Sequence, residues 1–274
     1  MSRPPFPGPP QTANRSTWRR PVLLFSLFLT AIAAALAVTA ISATQLTERN
    51  TAQRLLAAAT RSLLEVDRFV EGAWPVLERK APEGAPITLV GFPIGLQIDP
   101  TLVDEGPESV STEVVAATAS LIYDDGFEVL ADSPQVFRFL SRGAAFDGSV
   151  GRLTRGGHSI ATIALIVTGM LAILLAMSVA AQARGLSRFA APALAISVGA
   201  AVVWIAGSLL QSSLSGRAET TLDPFISDLW WIAVDALDIL LRNSAIVALT
   251  AGALVGASGL AGLLLRTFDP VERA

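Results

Sequence analysis

Residues 21–43, PVLLFSLFLTAIAAALAVTAISA, decide the fold. The run carries no ionisable side chain, and its length meets the ~20 residues that a helix needs to cross the hydrocarbon core of a bilayer. Three further runs of the same character follow at 159–181, 189–210 and 245–265. The chain therefore reads as an all-α membrane protein with four transmembrane helices. Between them lie a mainly helical insert at 44–158, a turn at 182–188 and a second, helical loop at 211–244, with tails at 1–20 and 266–274. A cleaved signal peptide is the other reading of the first run, but a signal core holds only ~7–15 apolar residues. This run is longer and passes directly into a helical pattern.

Composition agrees, with 52% of residues hydrophobic and 16% charged, against roughly 25% charged in soluble domains. Cysteine is absent and His158 is the one histidine, so disulfides, thiolate metal sites and the usual zinc and haem ligand sets are excluded. All basic residues but Lys80 are Arg, and Ala, Gly and Leu abound, a composition expected of a GC-rich bacterial genome.

Orientation follows from the short segments, because Lys and Arg in short loops are retained on the cytoplasmic side. Arg3, Arg15, Arg19 and Arg20 precede the first run, Arg184 and Arg188 occupy the turn at 182–188, and Arg266 and Arg273 follow the last run. All fall on one side if four spans are correct. The two loops on the other side hold 21 of the 23 acidic residues. Both termini are thus expected in the cytoplasm of a cell-membrane protein, with the insert and the second loop extracytoplasmic.

The Pro-rich leader, with Pro4, Pro5, Pro7, Pro9 and Pro10, is expected to be disordered. After the first span, Ala52, Leu56, Ala59, Leu63, Val66, Val70, Ala73 and Leu77 mark one face of a helix continuing out of the bilayer. Arg61 and Glu65 are spaced to pair on it, and Pro75 predicts a kink near Gly72 to Trp74. Pro86 to Pro100 reads as two short strands or an apolar loop. Helical spacing returns at Val110, Val114, Ala117 and Leu121, with Gly126 as C-cap. Ser133 and Pro134 open a third outer helix that Gly143 ends. Asp223 and Pro224 start the helix of the second loop.

Chemistry is sparse. Asp228, Asp235 and Asp238 share one face of the second-loop helix, which makes a candidate partner or cation face, though Asp228 and Asp235 stand ~10 Å apart along the axis. A solvated face with an Asp238–Arg242 pair is the plainer reading. Asp99, Asp104, Glu105 and Glu108 form a similar acidic run at a helix start. Trp230 and Trp231 suit the headgroup level as interfacial anchors. Gly252, Gly256, Gly259 and Gly262 form a helix-packing face for another helix, with Ala31, Ala34 and Ala35 of the first span as the first choice of partner. His158 lacks a metal-spaced partner. No serine-hydrolase elbow, P-loop, dinucleotide fingerprint or basic nucleic-acid stripe occurs, so the expectation is no enzyme, no cofactor, no metal and no nucleic acid. Asp124 and Asp125 are the only reagents worth testing for lipid chemistry.

The order of one span, a long loop, two linked spans, a shorter loop and a last span resembles permeases of the FtsX and MacB class. That resemblance implies a transport or mechanotransmission subunit beside a separate ATPase. The cytoplasmic turn of those permeases carries a basic coupling segment containing Glu and Ile, which residues 182–188, QARGLSR, lack. A local stretch, Asp67-Arg68-Phe69-Val70 followed by Ala73, Pro75 and Leu77, resembles one found after the first span in uncharacterised actinobacterial-type membrane proteins, and implies architecture without chemistry. The leading expectation is a scaffold or binding protein whose extracytoplasmic helices engage a protein, lipid or envelope partner. An extracytoplasmic sensor is a further alternative, one that needs a second chain for output.

Overall fold

The computed structural model describes residues 19–92, 95–126 and 151–267. The expected disordered leader, the helix expected from Ser133 to Gly143, and most of the C-terminal tail lie outside them. In chain order the described elements are α1 (Arg19–Leu46), α2 (Arg49–Leu63), α3 (Val66–Lys80), β1 (Ile87–Thr88), β2 (Gln97–Ile98), α4 (Thr101–Glu105), α5 (Pro107–Asp125), α6 (Arg155–Gln182), α7 (Ser187–Thr220) and α8 (Pro224–Thr267). Four of them, α1, α6, α7 and α8, are long and apolar enough to cross a membrane.

Side chains along these four helices set their directions. Gln182 of α6 reaches Ser26 of α1 at 3.4 Å and His158 reaches Thr47 at 3.2 Å, so α1 and α6 are antiparallel. Ser197 of α7 donates to the carbonyl of Ala248 at 3.0 Å. Asn243 of α8 donates to Ser42 at 3.0 Å and to Gln45 at 2.9 Å. The bundle runs up and down. Arg184 and Arg188 mark one end, and the insert sits at the other.

The segment 211–244 is continuous helix except at 221–223, and its helix, readable as lying at the interface or as extending the last span outward, is continuous with that span. Its first part extends α7, its second begins α8, and Asp223 caps the turn by accepting the Phe225 amide at 3.0 Å. At 1.5 Å per residue the 44 residues of α8 run ~66 Å, about twice the ~30 Å hydrocarbon thickness. The surplus of α8 enters the insert. Its Phe225, Leu229 and Ile232 share a core with Ala52, Leu56, Ala59 and Leu63 of α2 and with Ile122 and Tyr123 of α5. A second core joins Val66, Val70 and Leu77 of α3 to Val110 and Val114 of α5, and is closed by the β1–β2 hairpin through Ile87 and Ile98.

The expected face from Ala52 to Leu77 is buried as the spacing implies, with Ala73 only half-buried, but it lies on two helices. The chain first breaks at 47–48, between α1 and α2, instead of running straight out of the bundle. It breaks again at Glu65, whose φ of 45° is left-handed. Pro75, by contrast, stays inside α3. Val70 and Leu77, on either side of it, are anchored in one core, which holds the turn despite the lost amide. The left-handed Glu65 also re-pairs the charges: Arg61 bonds Asp67 at 3.2 Å and Glu65 bonds Arg68 at 3.4 Å, so the Arg61–Glu65 pair is not made. On α5 the burial runs through Val110, Val114, Thr118 and Ile122, leaving Ala117 and Leu121 half-buried. Gly126 ends that helix with φ of 85°.

Candidate functional site

Where the insert meets the four-helix bundle, α1, α2, α7 and α8 line a partly open cavity of about 390 Å³, within the ~300–1,000 Å³ usual for ligand sites. Leu210 and Leu214 come from α7, Leu237 and Leu240 from α8, and Leu55 and Leu153 close the insert side. Small residues at facing positions, Ala43 on α1 with Ala233 and Ala236 on α8, leave the space. Thr39 and Ser42 are the only hydroxyls in the wall. Each donates to a carbonyl of its own helix, Thr39 to Ala35 and Ser42 to Val38, both at 2.9 Å. The wall therefore offers an apolar surface and no charge. It can shelter a hydrocarbon chain, and no ionisable side chain stands among its described lining residues.

A polar knot borders the cavity at the α1–α2 break. The Tyr123 hydroxyl donates to the Thr47 carbonyl at 3.3 Å, while the Thr47 hydroxyl lies 3.2 Å from His158 Nδ1. Arg49 binds Asp124 at 3.0 Å and lies 5.9 Å from the centre of the Tyr123 ring. This occupies Asp124, one of the two carboxylates singled out for lipid chemistry. It also gives His158 a partner that the sequence did not suggest.

Asp228, Asp235 and Asp238 are exposed on the insert half of α8. Asp238 accepts from the Gln211 amide at 2.5 Å, and the expected Asp238–Arg242 ion pair is not made among the described residues. No group of three His, Cys, Asp or Glu among the described residues is placed to hold a metal ion. Trp231 is exposed, whereas Trp230 is half-buried with the Arg217 guanidinium 5.9 Å from its ring centre. Asp99 makes an Asx turn at the start of α4. It accepts from the Thr101 hydroxyl at 2.7 Å and the Thr101 amide at 2.9 Å, and these bonds hold its carboxyl below the usual carboxylate range.

The helix-packing face expected on α8 is not where helices meet closely. Gly256 and Gly259 have open space where a Cβ would go, and Gly252 and Gly262 would make only ordinary contacts, at 3.7 Å to Ser197 and Leu186. The close approaches are on α7. A Cβ at Gly199 would fall onto the Ala31 carbonyl, and one at Gly207 would stand 2.9 Å from Leu241. Ala31 does stand at a close helix contact, but with Gly199 of α7 rather than with the α8 glycines. Gly199 and Gly207 were legible only as glycines in an apolar run, because their eight-residue spacing lacks the four-residue signature.

The Asp67 to Leu77 stretch is accounted for by packing. Asp67 accepts from Ser111 and from Arg61, Phe69 packs on Phe92 with ring centres 5.2 Å apart, and Val70 and Leu77 are core. The class defined by these features is a helical protein with four helices fit to cross a membrane and a helical domain built onto the extended ends of two of them. Comparison with protein-family models, curated proteins and solved structures gives no match.

Proposed function

We propose that this is a non-enzymatic, multi-pass cell-membrane protein whose extracytoplasmic helices bind the apolar chain of a membrane or envelope lipid in the junction cavity. The observation that carries this reading is the cavity: an uncharged, leucine-walled space between the bundle and the insert, with its hydroxyls already bonded. A chain that enters from the bilayer gains no transfer energy from water, so its fit to the leucine wall sets the preference for the site. The arginines of the short segments support a cytoplasmic side for both termini. Because the chain lacks cysteine, single cysteines at Ser187 and at Ser120 test that orientation directly with an impermeant thiol reagent.

A photoactivatable acyl lipid, incorporated into native membranes, should label peptides containing Leu214, Leu237 or Leu55. Ala236→Phe, which fills the cavity, should abolish that labelling. Labelling spread evenly over lipid-facing positions such as those of α6, and unchanged by the substitution, would refute the site.

A second reading is a mechanotransmission subunit working with an ATPase. It is supported by α8, which packs in the bundle and in the insert core without interruption. Copurification from native membranes that repeatedly returns an ATPase would favour it over the lipid-binding reading.

A further inference from the structure

At the opposite end of the bundle, the last turns of α6, the first turns of α7 and the facing part of α8 leave a cleft of about 930 Å³. Its wall includes Met177, Phe189, Pro192, Leu254 and Ala257, and Arg188 is the only charged residue among its lining. We infer that this cleft binds a membrane phospholipid with an anionic headgroup, its acyl chain along the wall and its headgroup on Arg188. The inference is separate from the junction cavity and does not depend on it.

Three observations carry it. First, the cleft is open along its length because α8 presents small residues here: Ala251, Ala257 and Ser258 line it, and Ala257 is exposed. Second, Arg188 is poised at the mouth. Its Nε donates to the Ala183 carbonyl at 3.1 Å, which steadies the guanidinium and leaves its remaining N–H donors for a two-pronged contact with a phosphate. Third, the charge at this end is of one sign among the described residues. Neither α1 nor α6 contains Asp or Glu, and the acidic residues of α7 and α8, Glu219, Asp228, Asp235 and Asp238, lie toward the insert end. Arg188 makes none of the ion pairs of the described residues, and Arg184 is exposed beside it.

A soluble anion would satisfy Arg188 and leave the apolar wall without an occupant. A second copy packed through α8 would cover the wall but bring no carboxylate to Arg188 from its own described arginine end. A lipid with an anionic headgroup satisfies both, which is the usual logic of basic pockets between spans.

The test uses the full chain purified in detergent with equal amounts of phosphatidylglycerol and phosphatidylcholine, with retained lipid counted by native mass spectrometry. Wild type should retain phosphatidylglycerol over phosphatidylcholine by about fivefold or more, the factor expected for one arginine contact at the membrane surface. Arg188→Gln should bring the two to parity, and Arg188→Lys should keep a preference, which separates charge from misfolding. Ala257→Phe should lower retention of both lipids, while Ala236→Phe in the junction cavity should leave the preference unchanged. Equal retention by wild type, a preference unmoved by Arg188→Gln, or a dimer linked through cysteine introduced at Ala257 in place of retained lipid would each overturn the inference.

Discussion

The hydroxyl of Thr47 lies 3.2 Å from Nδ1 of His158, a residue 111 positions away. The same threonine accepts the Tyr123 hydroxyl on its carbonyl, so one residue at the α1–α2 break ties α1, α5 and α6 together. Thr47→Val and Tyr123→Phe should each destabilise the insert by ~1 kcal/mol, the usual net worth of such a bond. Because the two bonds meet at one residue in one network, the cost of the double variant should differ from the sum. Denaturant midpoints followed by tryptophan fluorescence in detergent check this; additive losses would show that the two bonds act independently.

Glycines on α7 and α8 should respond differently to the same change. Gly199→Ala puts a methyl on the Ala31 carbonyl and should cost ~1–3 kcal/mol as overpacking. Gly256→Ala and Gly259→Ala point into open space and should stay within ~1 kcal/mol of wild type. Resistance of the bundle to sodium dodecyl sulfate ranks the three. Equal losses would place a helix contact on α8 as well.

Thr60 is fully buried on α2, and its Oγ1 has no hydrogen-bond partner among the described residues. Thr60→Val removes an unsatisfied hydroxyl at nearly constant shape, so it should raise stability by ~1 kcal/mol. A lowered thermal midpoint would mean that the hydroxyl is satisfied in solution.

The Asp99 carboxyl is held low first by the Thr101 hydroxyl and then by the Thr101 amide. A lowered folded-state value means that its contribution to stability is present above the ordinary carboxylate range and is lost as pH falls through the folded value. Thr101→Val should raise the Asp99 titration toward the usual range, but not fully, since the amide bond remains. Carbon-detected NMR of the carboxyl follows it directly, and an unshifted midpoint would remove the hydroxyl as the main cause.

Much of the architecture was readable before any coordinates. The four apolar runs, the paired strands within Pro86 to Pro100, the Gly126 cap and the Asp223–Pro224 start all depend on local spacing or backbone chemistry. The breaks at Thr47 and Glu65 were not readable, because neither position carries a glycine or proline, and the left-handed Glu65 is imposed by two cores that pull α2 and α3 apart. The same holds for the site. Ala233 and Ala236 look like ordinary small residues in a helix until α1 and α7 stand opposite them, and Thr47 with His158 is a pairing no window of sequence contains. The α8 glycines are the converse case: a four-residue spacing permits close approach, and within this chain no helix among the described residues meets them closely.

The 44 residues of α8 have mechanical meaning beyond their packing. A rod of ~66 Å sweeps roughly 1 Å at one end for each degree it pivots at the other. Phe225 is clamped in the insert core, while Leu254 and Ala257, far along the same rod, line the cleft beside Arg188. A tilt of the insert carried along a straight α8 would shift Leu254 and Ala257 against the rest of the cleft wall, and a wedge in the cleft would press back along the same helix. The two ends of the molecule share one lever.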